Sequence, residues 1–276
     1  MSFLPNLPSS SGLKEKIKAV RLESHGRPLI SFRGVHKAFG DNVLLTGVDL
    51  DVAPGETVVV LGRSGTGKTV LTSMLVGLNS PDAGSIRVEE VELTELATDR
   101  DWHDLRLKTG YLFQGSALYD SMTVGQNVAF PMAHHTELEP EEIEARVAEK
   151  LSQVGLAGVE PLEPSALSGG MQRRAALARS LALNPEIIIY DEPTAGLDPI
   201  TGDEIGNLMR SLQRALQVTS VVVTHDLRLT ELVADRLFLL YQGQWVFQGT
   251  YEEFLQSPHP EVLRFLHRGP EGDMTT

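Results

Sequence analysis

A glycine-rich segment at residues 62–69 constrains the fold of this chain more strongly than any other feature. It follows Thr57–Leu61, an apolar run of strand length, and leads into a helical pattern at residues 67–78. The segment fits the spacing G-x-x-x-x-G-K-[S/T], in which backbone N–H groups and a helix N-terminus converge on phosphate. The order strand, glycine loop and helix therefore predicts an α/β fold that binds phosphate groups.

The residue types within this segment predict a nucleotide site with a metal ion. Lys68 is expected to reach the β- and γ-phosphates, and the Thr69 hydroxyl is expected to bind Mg²⁺. The predicted nucleotide-binding residues here are Gly62, Arg63, Ser64, Gly65, Thr66, Gly67, Lys68, Thr69 and Val70.

An acidic pair, Asp191 and Glu192, closes a second buried-strand pattern that begins at Ile187. Asp191 can hold Mg²⁺ through water, and Glu192 can orient and deprotonate an attacking water. Because the backbone turns at the end of a strand, both side chains can face the nucleotide. We therefore predict that Glu192 and Lys68 are catalytic in nucleotide hydrolysis.

A second glycine-rich segment begins at Leu167 and continues through Ser168, Gly169 and Gly170 to Met171. It opens a helical pattern at residues 170–183, so it also suits a phosphate group. One nucleotide-binding domain needs only one such loop. Two loops with one set of hydrolytic residues predict that nucleotide is shared between two copies of the chain.

The remaining periodicity predicts two antiparallel strands before the first loop, a helical insert, and strand–helix alternation after it. The predicted strands are 29–39, 43–52, 57–61, 187–191, 219–224, 236–241 and 244–248, and the predicted helices are 67–78, 140–154, 170–183, 200–216 and 228–233. One or two short helices are expected within residues 250–267. We divide the chain into a flexible lead-in at 1–28, a nucleotide-binding domain at 29–250 with a helical subdomain at about 115–183, and C-terminal helices and tail at 251–276.

The composition excludes several function classes. The net charge of −13 argues against general affinity for nucleic acid or an anionic membrane surface. The basic pair Arg173-Arg174 is interpreted as a solvated helix face, with a polyanion site as the alternative. Cysteine is absent, so disulfides and thiolate metal sites are excluded. No apolar run approaches the roughly 18 residues of a spanning helix, and the lead-in lacks the apolar core of a signal peptide.

Four further elements occur in a fixed order around these motifs. They are Phe39, Gln114 after residues 110–113, Ala195-Gly196-Leu197-Asp198, and His225 after residues 221–224. Together with the two glycine loops and the acidic pair, they make residues 29 to 250 similar to the ATP-binding-cassette (ABC) ATPases. The resemblance implies a P-loop NTPase (RecA-like) α/β core, with an N-terminal antiparallel β subdomain and an inserted α-helical signature subdomain.

The resemblance also implies roles for individual residues. In this family two cassettes pack head to tail, and ATP lies between the P-loop of one and the signature of the other. Phe39 would then contact adenine, Gln114 would bind nucleotide and metal, and Asp198 would link the two sites. Ser168, Gly169 and Gly170 would bind the γ-phosphate of the partner's ATP, and the catalytic His225 would contact that of its own. The implied cofactors are ATP and Mg²⁺.

The family implies partners as well. A single cassette is expected to form a homodimer under a separate integral-membrane permease, peripheral to the cytoplasmic face of the inner membrane. Leu118, Tyr119 and Met122 are placed to line the groove for the permease, or else belong to the subdomain core.

Met171 and the segments 113–131 and 198–201 closely resemble the Mla-type group, which moves phospholipid with MCE-domain proteins. That likeness implies lipid transport, an MCE-type lipid-binding subunit and a small regulatory subunit. An importer or exporter ATPase for another solute is the alternative. A soluble non-transport cassette protein is more remote, since neither tandem cassettes nor a long coiled-coil insertion is present.

Overall fold

The computed structural model describes residues 27–268, with the side chain of the last of these left out. Most of the predicted lead-in and the end of the tail therefore lie outside the described residues. The strands are β1 Ile30–Phe39, β2 Asn42–Val52, β3 Thr57–Leu61, β4 Ala83–Val88, β5 Val91–Glu92, β6 Thr109–Leu112, β7 Ile187–Asp191, β8 Thr219–Thr224, β9 Arg236–Tyr241 and β10 Gln244–Gly249. The helices are α1 Lys68–Met74, α2 Asp99–Leu107, α3 Val124–His135, α4 Pro140–Gln153, α5 Gly169–Ser180, α6 Pro199–Leu216, α7 Leu227–Val233, α8 Tyr251–Leu255 and α9 Pro260–Arg268.

Two sheets form the framework, as the sequence predicts. A four-stranded antiparallel sheet has the order β2-β1-β4-β5, and a six-stranded sheet has the order β10-β9-β3-β8-β7-β6. Strands β9, β3, β8, β7 and β6 are parallel, and β10 pairs antiparallel with β9. The fold is thus α/β, with an antiparallel β subdomain and a helical segment between β6 and β7.

The larger sheet is buried on both faces, which explains why its central strands are continuous apolar runs. Side chains of β3 alternate between two cores. Val59 and Leu61 join a cluster with the helices α3 to α7, whereas Val58 and Val60 join one with α1 and the antiparallel sheet. This alternation follows from the two-residue period of a strand. The strand ends are consequently held rigidly, and their loops share one edge.

Capping residues set where the helices of the segment between β6 and β7 begin. Thr123 and Gln126 form a capping box at the start of α3, and Pro140 occupies the first turn of α4. Ser168 caps α5, so that helix begins one residue earlier than predicted and ends at Ser180 instead of 183. None of the helices among residues 27–268 is both long and apolar enough to cross a membrane.

Other boundaries also differ from the prediction. Helix α1 ends at Met74, and residues 75–78 form turns, because Gly77 has φ of +73° and Trp102 packs against it. Strands β4, β5 and β6 and helix α2 were not predicted, and α3 was expected only as part of the helical insert, without bounds. Two helices, α8 and α9, confirm the expectation for residues 250–267.

Candidate active site

The predicted site residues meet at the carboxyl edge of the six-stranded sheet. The glycine loop follows β3, Asp191 ends β7, His225 follows β8, and Gln114 lies two residues after β6. These four strands are neighbours and parallel, so their carboxyl ends lie together. In open α/β sheets, ligands bind at this edge.

The glycine loop requires glycine at defined positions. A Cβ on Gly62 would lie 2.8 Å from Thr66 Oγ1 and 3.0 Å from the Leu240 carbonyl oxygen. Gly67, which precedes α1, has φ of +99°, a conformation that side chains with Cβ rarely adopt. Thr66 closes the loop by donating from its hydroxyl to the Arg63 carbonyl at 2.9 Å. The loop is therefore curved tightly over the N-terminus of α1, the geometry that suits a phosphate.

Lys68 is buried at the base of this loop. Its Nζ donates to the Gly62 carbonyl at 2.7 Å and to the Arg63 carbonyl at 3.1 Å, and lies 3.4 Å from Glu192 Oε1. Burial lowers the pKa of Lys68, while the Glu192 and Asp191 carboxylates oppose that shift. The ammonium group is therefore partnered by loop carbonyls and a carboxylate, where it is available to a phosphate that enters the loop.

Glu192 lies at the turn after β7 with φ of +47°, a left-handed conformation unusual for glutamate. Its Oε2 is 2.9 Å from His225 Nδ1 and accepts a hydrogen bond from Thr224 at 3.3 Å. Burial raises the pKa of Glu192, but the contacts with His225 and Lys68 outweigh it, so the pKa lies below its ordinary value. The turn thus directs a charged carboxylate into the same space as Lys68 and His225.

His225 lies between solvent and this carboxylate, with about a third of its side chain exposed. Its contact with Glu192 raises the pKa of His225 above the ordinary value, although partial burial opposes the shift. The structure therefore brings the three predicted catalytic side chains, those of Lys68, Glu192 and His225, into one cluster.

The predicted metal ligands are hard oxygen donors. The Thr69 hydroxyl donates to Asp191 Oδ1 at 3.0 Å, so both oxygens are adjacent at the loop. Burial raises the pKa of Asp191, and the Thr69 hydrogen bond opposes that shift. Gln114 is exposed beyond β6. Within residues 27–268, no group of three or more His, Asp or Glu side chains is arranged to hold a metal. This donor set fits Mg²⁺, which binds one or two carboxylates and completes its shell with phosphate oxygens and water.

The second glycine segment lies beside the loop that contains Asp198. Ser168 is exposed and caps α5 by accepting a hydrogen bond from the Met171 N–H at 3.3 Å. A Cβ on Gly170 would lie 2.6 Å from the Thr201 methyl group, so this close approach requires glycine. Asp198 is exposed and caps α6, accepting hydrogen bonds from the Ile200 and Thr201 N–H groups. The segment therefore presents an open helix N-terminus, with Ser168 and exposed Gly169 at the surface.

Phe39 lies at the end of β1, and half of its side chain is exposed. The Lys37 ammonium group lies 5.0 Å from the centre of its ring. An exposed aromatic face is free to stack on a base.

A cavity of about 710 Å³ lies next to Gln114, between α2, β6, α3 and the end of α5. Its aromatic wall is formed by Tyr111, Phe113, Tyr119 and Phe130. Of the three residues predicted to line a groove, Tyr119 does so. The other two, Leu118 and Met122, are half-buried elsewhere, Leu118 against the larger core.

The sequence interpretation of Arg173 as part of a solvated helix face is wrong. Arg173 is 4% exposed, and its guanidinium donates to the Phe113 carbonyl at 3.1 Å and the Ala195 carbonyl at 3.2 Å. Arg173 therefore connects α5, the helix that it lies on, to the loops after β6 and β7. Arg174 pairs with Glu204 at the surface, as a solvated face requires.

Comparisons with known proteins agree with this geometry. The sequence matches the family model described as "ABC transporter" over residues 45–195. It is 38% identical to the chloroplastic protein TRIGALACTOSYLDIACYLGLYCEROL 3 of Arabidopsis thaliana, over 91% of this chain and 77% of that protein. It is also 38% identical to the intermembrane phospholipid transport system ATP-binding protein MlaF of Haemophilus influenzae, over 88% of this chain and 92% of that protein.

A third relative carries a different name. The probable ribonucleotide transport ATP-binding protein mkl of Mycobacterium leprae is 39% identical, over 86% of this chain and 68% of that protein. Among solved structures, the fold is similar to a dimeric post-hydrolysis state of the ATP-binding cassette MJ0796 bound to ADP and Pi. The TM-score is 0.73 and the identity 31%, covering 80% of this chain and 98% of that chain.

Proposed function

Since this chain belongs to the ABC transporter family and is an ATPase of that family, we propose that two copies enclose ATP and drive a permease that moves phospholipid between membranes. The observation that carries the ATPase mechanism is the buried cluster of Lys68, Glu192 and His225 beside the Thr69–Asp191 pair. Few reactions other than phosphoryl transfer use a glycine loop, a buried lysine and a pair of carboxylates together.

In the proposed reaction, Lys68 exchanges its carbonyl and Glu192 partners for the β- and γ-phosphates. Glu192, released from that ion pair, accepts the proton of the attacking water. His225 donates to the γ-phosphate from its second ring nitrogen, Nε2, while Nδ1 stays beside Glu192 and keeps that carboxylate oriented. The positive φ of Glu192 supports this role, because it turns the carboxylate towards the loop instead of along the strand.

The proposed metal ligands are Thr69, Asp191 and Gln114. A bound Mg²⁺ would neutralise negative charge on the phosphates during hydrolysis. The Thr69 hydroxyl is oriented by its hydrogen bond to Asp191, and Gln114 would approach the metal from the loop after β6. Because the described side chains provide few metal donors by themselves, we expect metal and nucleotide to bind together.

The second glycine segment is proposed to complete the site of the other copy. Its helix N-terminus is open, and the Ser168 hydroxyl and Gly169 are exposed, which supports binding of a phosphate from outside the chain. Phe39 is proposed to stack on adenine. Asp198, exposed next to the signature, is proposed to contact the facing copy.

Dimers of ABC ATPases work with membrane permease subunits. We propose that the aromatic cavity beside Gln114 receives the permease, which would hold the protein at the cytoplasmic face of the inner membrane. An MCE-type lipid-binding subunit and a small regulatory subunit are proposed as further components. Phospholipid as cargo is supported by the name of the Haemophilus relative, whereas the mycobacterial name supports a ribonucleotide as the second candidate.

The test is to purify the tagged chain from native membranes and identify the associated proteins and lipids together. The proposal predicts a multispanning permease, an MCE-type subunit and phospholipid in the same complex. Reconstituted in vesicles, that complex should transfer labelled phospholipid with ATP and stop with the Glu192→Gln variant. A complex without a permease contradicts the transporter assignment, and ATP-driven ribonucleotide movement without lipid transfer contradicts only the cargo.

A further inference from the structure

One side chain, that of Tyr111, belongs both to the aromatic cavity and to the nucleotide site. Its ring forms part of the cavity wall, on β6 next to β7. Its hydroxyl points the other way and lies 3.1 Å from Thr72 Oγ1 on α1. No role in phosphate or metal binding is assigned to Tyr111 by the motifs, since it precedes the glutamine loop.

Hydrogen bonds connect this phenol to the first turn of α1, which carries the proposed metal ligand Thr69. Thr72 donates from its hydroxyl to the Thr69 backbone carbonyl at 3.1 Å, so its oxygen is left to accept from Tyr111. On the same turn, the side-chain hydroxyl of Thr69 donates to Asp191. Burial raises the pKa of Tyr111 to about 12, so the phenol stays protonated and remains a donor near neutral pH. Burial raises the pKa of Asp191, and the nearby Tyr111 hydroxyl is the last and smallest of the influences on it, one that lowers it.

The other end of Tyr111 is held by an aromatic stack. The rings of Tyr111 and Phe113 lie 4.2 Å apart between centroids with an angle of 27° between their planes. Phe113 is 39% exposed in the cavity wall and directly precedes Gln114. A permease segment that enters the cavity must therefore contact or displace this stacked pair. Since a stacked ring moves as a rigid unit, displacement of the ring moves the hydroxyl.

We propose that Tyr111 is a positioning residue that couples occupancy of the aromatic cavity to the placement of Thr69 and Asp191. The inference rests on the proposed docking of the permease in this cavity. In this role the Tyr111 phenol takes no part in the reaction. The hydroxyl fixes the position of the first turn of α1 relative to the Asp191 carboxylate. The ring contacts whatever fills the cavity.

The Tyr111→Phe variant separates this role from packing, because it keeps the ring and the stack and removes only the hydroxyl. Calorimetry measures ADP affinity with Mg²⁺ and with EDTA for the isolated chain. We expect the Mg²⁺-dependent affinity to fall by about 3- to 10-fold, the usual scale for one hydrogen bond, with the EDTA value unchanged. Tyr251→Phe is the matched control, because Tyr251 is a half-buried tyrosine at the start of α8 that packs against the larger core, and it should behave like the wild type.

The second measurement is the ratio of ATP turnover in the permease complex to that of the isolated chain. Coupling through Tyr111 predicts a smaller ratio for Tyr111→Phe than for the wild type. Unchanged Mg²⁺-dependent affinity overturns the proposal, and so does a reduced affinity with an unchanged ratio. Docking is tested separately by Tyr119→Glu, since permease that stays bound to this variant contradicts the docking site while the affinity result still reports on the hydrogen-bond chain.

Discussion

Replacement of Glu192 by glutamine isolates its proposed function as the base. The side chain is 8% exposed, and its oxygens contact His225, Lys68 and Thr224. Glutamine has the same shape and can still accept the Thr224 hydrogen bond. It carries no charge and cannot take a proton from water. The substitution therefore removes the charge and basicity of the carboxylate, with its ion pairs to Lys68 and His225, and keeps its shape.

The expected loss of rate is that of removing a general base. Loss of a general base slows the chemical step by about 10²–10⁴-fold, or roughly 3–5 kcal/mol of activation free energy. ATP binding should be retained, because the substitution removes only a carboxylate that competes with the phosphates for Lys68. Slow hydrolysis together with retained binding predicts that the variant accumulates as an ATP-bound dimer.

The assay combines steady-state phosphate release with size-exclusion chromatography coupled to light scattering, with and without ATP. Glu186→Gln is the matched control, because Glu186 is an exposed carboxylate just before the opposite end of β7. That control should hydrolyse ATP at the wild-type rate and show no trapped dimer. Turnover of Glu192→Gln within about threefold of the wild type would place the base elsewhere.

Three further outcomes follow from the geometry. The raised pKa of His225 means that its contact with Glu192 stabilises the fold below the ordinary histidine pKa and loses this effect as pH rises through the folded-state pKa. The wild-type advantage over His225→Asn in urea unfolding should therefore shrink with rising pH, and a constant or growing difference refutes it. Arg173→Ala should lower the free energy of unfolding by about 1.5–3 kcal/mol, because two loop carbonyls lose a buried charged donor; an unchanged urea midpoint speaks against that tie. Gly62→Ala should weaken ATP binding about tenfold or more, since its Cβ collides with Thr66, and calorimetry with unchanged affinity would contradict this.

Much of the fold could be predicted because its central strands leave a strong local signal. The predicted bounds of Thr57–Leu61, Ile187–Asp191 and Thr219–Thr224 are confirmed, since burial on both faces makes each strand a continuous apolar or β-branched run. Strand β4 was missed for the opposite reason. Only Ile86 and Val88 of its six residues are buried, so its pattern is too short to recognise.

The site could be predicted only in part, for a related reason. The positions of Lys68, Glu192 and His225 follow from motifs at strand ends, and the structure places them together; their roles remain predictions. The contacts of Arg173 and Tyr111 could not be predicted, because their partners are distant in the chain and no spacing records them. A basic pair on a helix gives the same sequence pattern whether one arginine is buried or both are solvated.

The central claim, that each ATP is enclosed by the P-loop of one copy and the signature of the other, is tested most directly with mixed dimers. One copy carries Lys68→Ala and the other Ser168→Arg, both in the Glu192→Gln background that retains ATP. The mixed dimer then has one site with both elements intact, whereas each pure dimer has none. The account predicts that about one ATP per mixed dimer stays bound after free nucleotide is removed, and that almost none stays bound to either pure variant. Retention by the mixed dimer no greater than that of the pure variants would contradict it.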